Sequence, residues 1–275
     1  DNIYINIFEA ALVNYPAMQL KVDREKYILT SQLVPDALGN MAYFQTPCKT
    51  PWRTIIVSNK AEDILSSKLI LNLNEPSKIT NTDFIKPMKY VGIWWEMHIG
   101  ISSWNYADMN VPDLKAVDWN KVKPNGRHGA TTERTKRYID FAAEHGFKGV
   151  LVEGWNIGWE DWGSFYREDV FDFVTPYPDF DINFLTDYAK SKNVNLIMHH
   201  ETSASVSNYE RRMDEAYRFM KNYGYNAVKT GYVGWIIPRG EHHDGQWMIN
   251  HYLRVAQKTA ENQIMLCAHE PVRPT

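Results

Sequence analysis

The sequence predicts an α/β fold on a parallel sheet, of the (β/α) barrel kind, preceded by an antiparallel β segment. Three observations predict it. From Lys89 onward, apolar runs that read as strands alternate with amphipathic helical stripes. Those strand runs are mostly apolar throughout, as the strands of a parallel sheet covered by helices are. Their C-terminal ends carry carboxylates, histidines and indoles rather than a glycine-rich phosphate turn.

The first ~85 residues read as β. Ile5–Val13, Met18–Val22, Tyr27–Val34 and Thr54–Val57 are short, partly alternating and broken by Pro, Asn and Gly. Ala61–Leu71 is compatible with a helix, and Asn74-Glu75-Pro76 with the polar run to Asp83 reads as a linker. Residues 1–85 and 86–275 are therefore expected to be separate domains.

In the second part the expected strands are Tyr90–Trp95, Gly149–Trp155, Asn195–Glu201, Ala227–Val233 and Gln263–Glu270. Thr131 or Thr132 caps a helix to about His145, closed by Gly146. Phe184, Leu185, Tyr188 and Ala189 form a second stripe, Met213, Ala216, Tyr217 and Met220 a third, and Met248, Tyr252, Val255 and Ala256 a fourth. A doubly wound sheet shares this rhythm. The turn Met97-His98-Ile99-Gly100 lacks its phosphate fingerprint, and the chemistry gathered at the strand ends favours the barrel. A closed barrel needs eight strands and five are visible, so the chain reads as part of a longer protein.

Composition excludes some functions. A net charge of -3 gives no electrostatic case for nucleic acid or a membrane surface. No apolar run approaches a membrane span. Ten Trp and sixteen Tyr suit either a packed core or a cleft where rings stack on sugar faces. Cys48 and Cys267 give neither a disulfide framework nor zinc spacing, and Cys267, in an apolar run, reads as a buried thiol.

Two strand ends stand out. Met198-His199-His200-Glu201-Thr202 and Ala268-His269-Glu270 each place a Glu after a His at the mouth of the expected barrel. Two such carboxylates suit glycoside hydrolysis, where protons move while an oxocarbenium-like charge develops. The bland reading pairs these Glu with Arg211, Arg239 or Arg273. Arg239-Gly240-Glu241-His242-His243 lacks the helical His-Glu-x-x-His spacing of metalloproteases and suits hydrogen bonding to sugar hydroxyls. Trp155, Trp159 and Trp162 form a sugar platform or pack a loop.

Several segments resemble glycoside hydrolase family 97. They are Val152-Glu153-Gly154-Trp155-Asn156, Gly158-Trp159-Glu160-Asp161-Trp162, and Phe173 through Asp181. His199-His200-Glu201-Thr202, the loop Pro238–His243 and Ala268 through Pro274 belong with them. The resemblance covers essentially the whole chain. It implies the end of an N-terminal antiparallel β-sandwich followed by the first five strands of a TIM (β/α)8 catalytic barrel. It also implies a periplasmic or secreted enzyme of a Gram-negative bacterium, acting on oligosaccharides with a calcium ion in the site.

By this resemblance Glu201 and Glu270 are catalytic and activate water, and Glu270 and Glu9 are calcium ligands. Trp94 or Trp95, His199, Lys229 and His269 bind sugar. Retaining members, which act on α-galactosides, carry an Asp nucleophile at the end of the fourth barrel strand, where this chain has Gly231. The pattern therefore implies an inverting, exo-acting, calcium-dependent α-glucosidase, with its general acid past residue 275. The alternatives are a retaining α-galactosidase of the same family, a non-catalytic carbohydrate-binding protein, and a metal-dependent hydrolase built on the His-Glu pairs.

Overall fold

The computed structural model describes residues 2–110, 113–164 and 167–269. The chain divides into two compact units. Among the described residues, one takes in those up to Thr80 together with Arg239–Ala256, and the other Asn81–Pro238 and residues 257–269.

The first unit holds two antiparallel pairs. Strand β1 (Tyr4–Ala10) is paired with β4 (Trp52–Ser58), and β2 (Met18–Asp23) with β3 (Ile28–Leu33). The Asp23 carboxylate accepts the main-chain N–H groups of Glu25 and Lys26 and so closes the β2–β3 turn. The helical stretch expected over Ala61–Leu71 is two short helices, α1 (Ala61–Ser66) and α2 (Leu69–Asn72). Ser67 lies between them in an extended conformation, and neither helix has a side-chain N-cap.

The second unit is built on five parallel strands: β5 (Tyr90–Ile93), β6 (Gly149–Val152), β7 (Asn195–Glu201), β8 (Ala227–Gly231) and β9 (Met265–Ala268). Their order in the sheet is their order in the chain. A doubly wound sheet reverses direction at a switch point, and this sheet does not, so the arrangement is that of a partial TIM barrel. Between the strands in the chain run α3 (Trp95–His98), α4 (Thr132–Glu144), α5 (Ile182–Ser191), α6 (Val206–Asn222) and α7 (Gln246–Glu261), the last of which belongs up to Ala256 to the first unit.

The helix ends follow the expected chemistry. Thr131 caps α4 by accepting from the Arg134 N–H, and Asp181 caps α5 by accepting from Phe184. Gly146 and Gly224, both at positive φ, follow α4 and α6. The α6 stripe of Met213, Ala216, Tyr217 and Met220 is fully buried. Every residue of β6 is buried, as are six of the seven in β7.

Two local expectations are corrected. The first, second, fourth and fifth strands end two or three residues early, because the chain turns as soon as its strand-end side chains are placed. After Ile93, Trp94 leaves β geometry and Trp95 opens α3. The ring of Trp94 lies back over Gly92, where a Cβ would overlap it. Cys267 is exposed rather than buried. It sits on β9, which has a sheet neighbour on one side only among the described residues, so its apolar run is not covered as β7 is.

Candidate active site

The parallel register brings the chemistry to one end of the sheet. His199 is paired with Lys229 and Glu201 with Gly231 across β7 and β8. Side chains two apart on a strand share a face, so His199 and Glu201 point the same way. Glu153 follows β6 directly, and its N–H is bonded to the Ile93 carbonyl. His269 follows β9, its N–H bonded to Thr230.

These ends surround a cavity of about 210 Å3. Every sugar-binding residue expected from sequence lines it: Trp94, Trp95, His199, Lys229 and His269, together with Glu201. Glu270 lies outside the described residues. Glu9 belongs to the first unit. There one carboxylate oxygen accepts from Met18 N–H at 2.7 Å and the other meets Arg53 at 2.6 Å. A cation at Glu9 would have to compete with that guanidinium. No group of three or more His, Cys, Asp or Glu able to hold a metal occurs among the described residues.

Glu201 is 5% exposed. Its Oε1 accepts the N–H groups of Ser203 at 2.8 Å and Val233 at 3.2 Å. The other oxygen, Oε2, occupies the space over Gly231, where a Cβ would overlap it. Glycine at 231 therefore makes room for the Glu201 carboxylate.

Glu153 forms the second anionic centre, and sequence reasoning passed over it. Lys229 Nζ donates to its Oε1 at 2.8 Å, Trp104 Nε1 donates to its Oε2 at 3.1 Å, and His199 Nε2 stands 3.7 Å away. Burial pushes the Glu153 carboxyl up, but His199, which is charged only at acid pH, the Lys229 ammonium and the hydrogen bonds from Lys229 and Trp104 together hold it below the ordinary value. Burial lowers His199 to about 4, so this imidazole is neutral near neutral pH. Lys229 is then the cation that keeps Glu153 ionised. The signal was present in the sequence: Glu153 ends an apolar strand just as Glu201 does.

A wall of rings bounds the cavity. Trp104 stacks on Trp159 at 5.8 Å and 12°, and Trp159 stacks on His199 at 5.8 Å and 19°. Trp162 packs against both indoles. Trp155 takes no part: it is 1% exposed, packs on Phe219 and donates to the His199 carbonyl. Trp104 comes from a long loop with no periodicity, so nothing in the sequence marked it.

His200 points away from the cavity. Its Nδ1 is bonded to the Tyr209 hydroxyl, its ring packs on Tyr217, and burial lowers it to about 3. The two histidines predict acid sensitivity. Between about 6.5 and 4 an unfolded chain takes up protons that the folded His199 and His200 refuse, so stability rises with pH across that window. Glu153 acts in the same sense, since its stabilising share is present above the unfolded value and lost as pH falls through the folded one. Melting temperature is expected to fall steadily from pH 7 to 4, and a His199→Asn variant to flatten part of the slope. A flat profile would contradict the assigned neutral histidines.

Comparison with known proteins decides the family. The model of Glycoside hydrolase 97 matches residues 94–275, and that of Glycosyl-hydrolase 97 N-terminal matches residues 1–76. The chain belongs to glycoside hydrolase family 97. A family 97 enzyme from Pseudoalteromonas sp. strain K8, solved in complex with acarbose, is 44% identical with a TM-score of 0.85, over 98% of this chain and 39% of that one. A retaining alpha-galactosidase from Bacteroides thetaiotaomicron is 24% identical over 100% of this chain and 38% of its own length. A beta-arabinopyranosidase at 18% identity and a TM-score of 0.63, over 98% of this chain and 37% of that one, shares the fold. The chain thus spans under two-fifths of the family 97 relatives it matches.

Proposed function

We propose that this family 97 chain carries the sugar pocket of an inverting, exo-acting α-glucosidase. One observation carries the reading: the buried Glu201 carboxylate lies at the cavity, oriented by two main-chain N–H groups and seated in the space over Gly231. In this reading the carboxylate so positioned is the base that acts on water. Gly231 itself has no side chain with which to attack the sugar. Glu270 shares the base role in this reading.

Glu153 cannot serve as the general acid while Lys229 keeps it ionised, because an acid must carry a proton to the leaving group. With Lys229, His199 and His269 it provides donors and acceptors for sugar hydroxyls, and the indoles provide a flat apolar wall. A second reading, retaining α-galactosidase, is favoured by the name of the Bacteroides relative. It requires a nucleophile that position 231 does not supply.

Calcium belongs to the proposal through Glu270; Glu9 stays within the first unit, held by Arg53 and the Met18 N–H. When bound, calcium would supply positive charge near the reacting oxygens. Both questions are open to experiment on the intact protein. NMR of the first sugar released from an α-glucoside is expected to show the β-anomer, and chelator to lower activity that calcium restores. Release of the α-anomer, or a preference for an α-galactoside, would move the assignment to the second reading.

A further inference from the structure

We propose that Glu160 is a positioning residue for the sugar pocket: its carboxylate ties together the two loops that carry Trp104 and Trp159, and so sets the ring wall against Glu153. The inference rests on the reading of the cavity as a sugar site. Glu160 Oε1 accepts the N–H groups of Tyr106 at 3.0 Å and Ala107 at 3.2 Å. These lie just beyond Trp104 in the loop after α3. Glu160 Oε2 accepts the Tyr177 hydroxyl at 2.5 Å, and the same hydroxyl accepts the Trp159 N–H at 3.2 Å. One carboxylate therefore fixes the main chain beside both indoles.

The surroundings agree with this role. Tyr177 is 1% exposed and stacks on Tyr106 at 5.6 Å and 17°. Burial, then the neighbouring Glu160 charge, raise the Tyr177 hydroxyl well above its ordinary value, so it stays protonated and donates. Two main-chain N–H groups and a phenol satisfy Glu160, and no Lys or Arg pairs with it among the described residues. A group satisfied in this way defines loop geometry. The outcome is a closed circuit, Glu153–Trp104–Trp159–His199 and back to Glu153. Loosening the Trp104 loop would take the indole donor off Glu153, and small displacements of binding groups weaken catalysis strongly.

The test compares Glu160→Ala with Glu160→Gln in the intact protein. The glutamine oxygen still accepts Tyr106 and Ala107, and its amide donates to the Tyr177 oxygen where the carboxylate accepted from it, so glutamine should rescue most of the clamp. Stacked indoles give an exciton couplet in ultraviolet circular dichroism, a readout that needs no substrate. The couplet is expected to weaken in Glu160→Ala and persist in Glu160→Gln. KM for an α-glucoside is expected to rise roughly tenfold in the alanine variant, with kcat changing less. Tyr177→Phe, which cuts only the Trp159 arm, should weaken the couplet partly and serves if Glu160→Ala does not fold. An unchanged couplet in Glu160→Ala or, where that does not fold, in Tyr177→Phe would overturn the proposal. So would equal loss in alanine and glutamine variants. A wild type with the couplet but no action on any α-glycoside would instead overturn the reading of the site and leave the clamp standing.

Discussion

Replacing Glu201 by Gln is expected to lower kcat on an α-glucoside by about two to four orders of magnitude, the usual worth of a positioned acid or base. The fold should survive, because the glutamine oxygen can still accept from Ser203 and Val233. Melting temperature should stay close to wild type, and KM should change little, since the variant removes proton transfer rather than sugar contacts. Steady-state kinetics beside a thermal melt decides the matter. A Glu201→Gln enzyme within tenfold of wild type would remove Glu201 from the chemistry.

The second large effect is expected at Gly231. A single methyl in Gly231→Ala overlaps Glu201 Oε2, so the carboxylate must shift from the position in which its other oxygen meets two N–H donors. Overpacking of this kind costs about 1–3 kcal/mol. On the proposed function, activity should fall towards that of Glu201→Gln, since the carboxylate proposed as base is displaced. The informative variant is the double one, Gly231→Ala with Glu201→Gly. Removing the carboxylate relieves the overlap, so stability should recover while activity does not. Residues in contact couple in this non-additive way, and a double-mutant cycle on chemical denaturation would show it. Additive stability losses would mean that the two positions do not share the space described.

Much of the second unit was legible in the sequence because its signals are local. The apolar run Leu196-Ile197-Met198 and the stripe through Met213 and Met220 fix a strand and a helix by periodicity alone. The strand-end residues Glu201, His199, Lys229 and His269 could be gathered because parallel strands deliver their C-terminal ends to one face. Other features depend on tertiary context. The strand ends after Ile93 and Val152 are set by how Trp94 folds over Gly92 and by hydrogen bonds from the following turns. Exposure of Cys267 depends on what flanks β9, and an apolar pattern does not report that. Trp104 reaches the site from a loop held by a carboxylate more than fifty residues away. Glu153 differs from these, since it carried the same strand-end signal as Glu201 and was not weighed.

The shared space at positions 201 and 231 also bears on ancestry. On this backbone a long acidic side chain at 201 and any side chain at 231 compete for the same volume. A lineage that gains a side chain at 231 keeps Glu201 only by turning its carboxylate out of the space over residue 231. On the proposed function, such an intermediate has disturbed its first carboxylate before a second is in place. Such a step is more readily crossed in a duplicated gene, where a second copy maintains activity, than by gradual change in a single one.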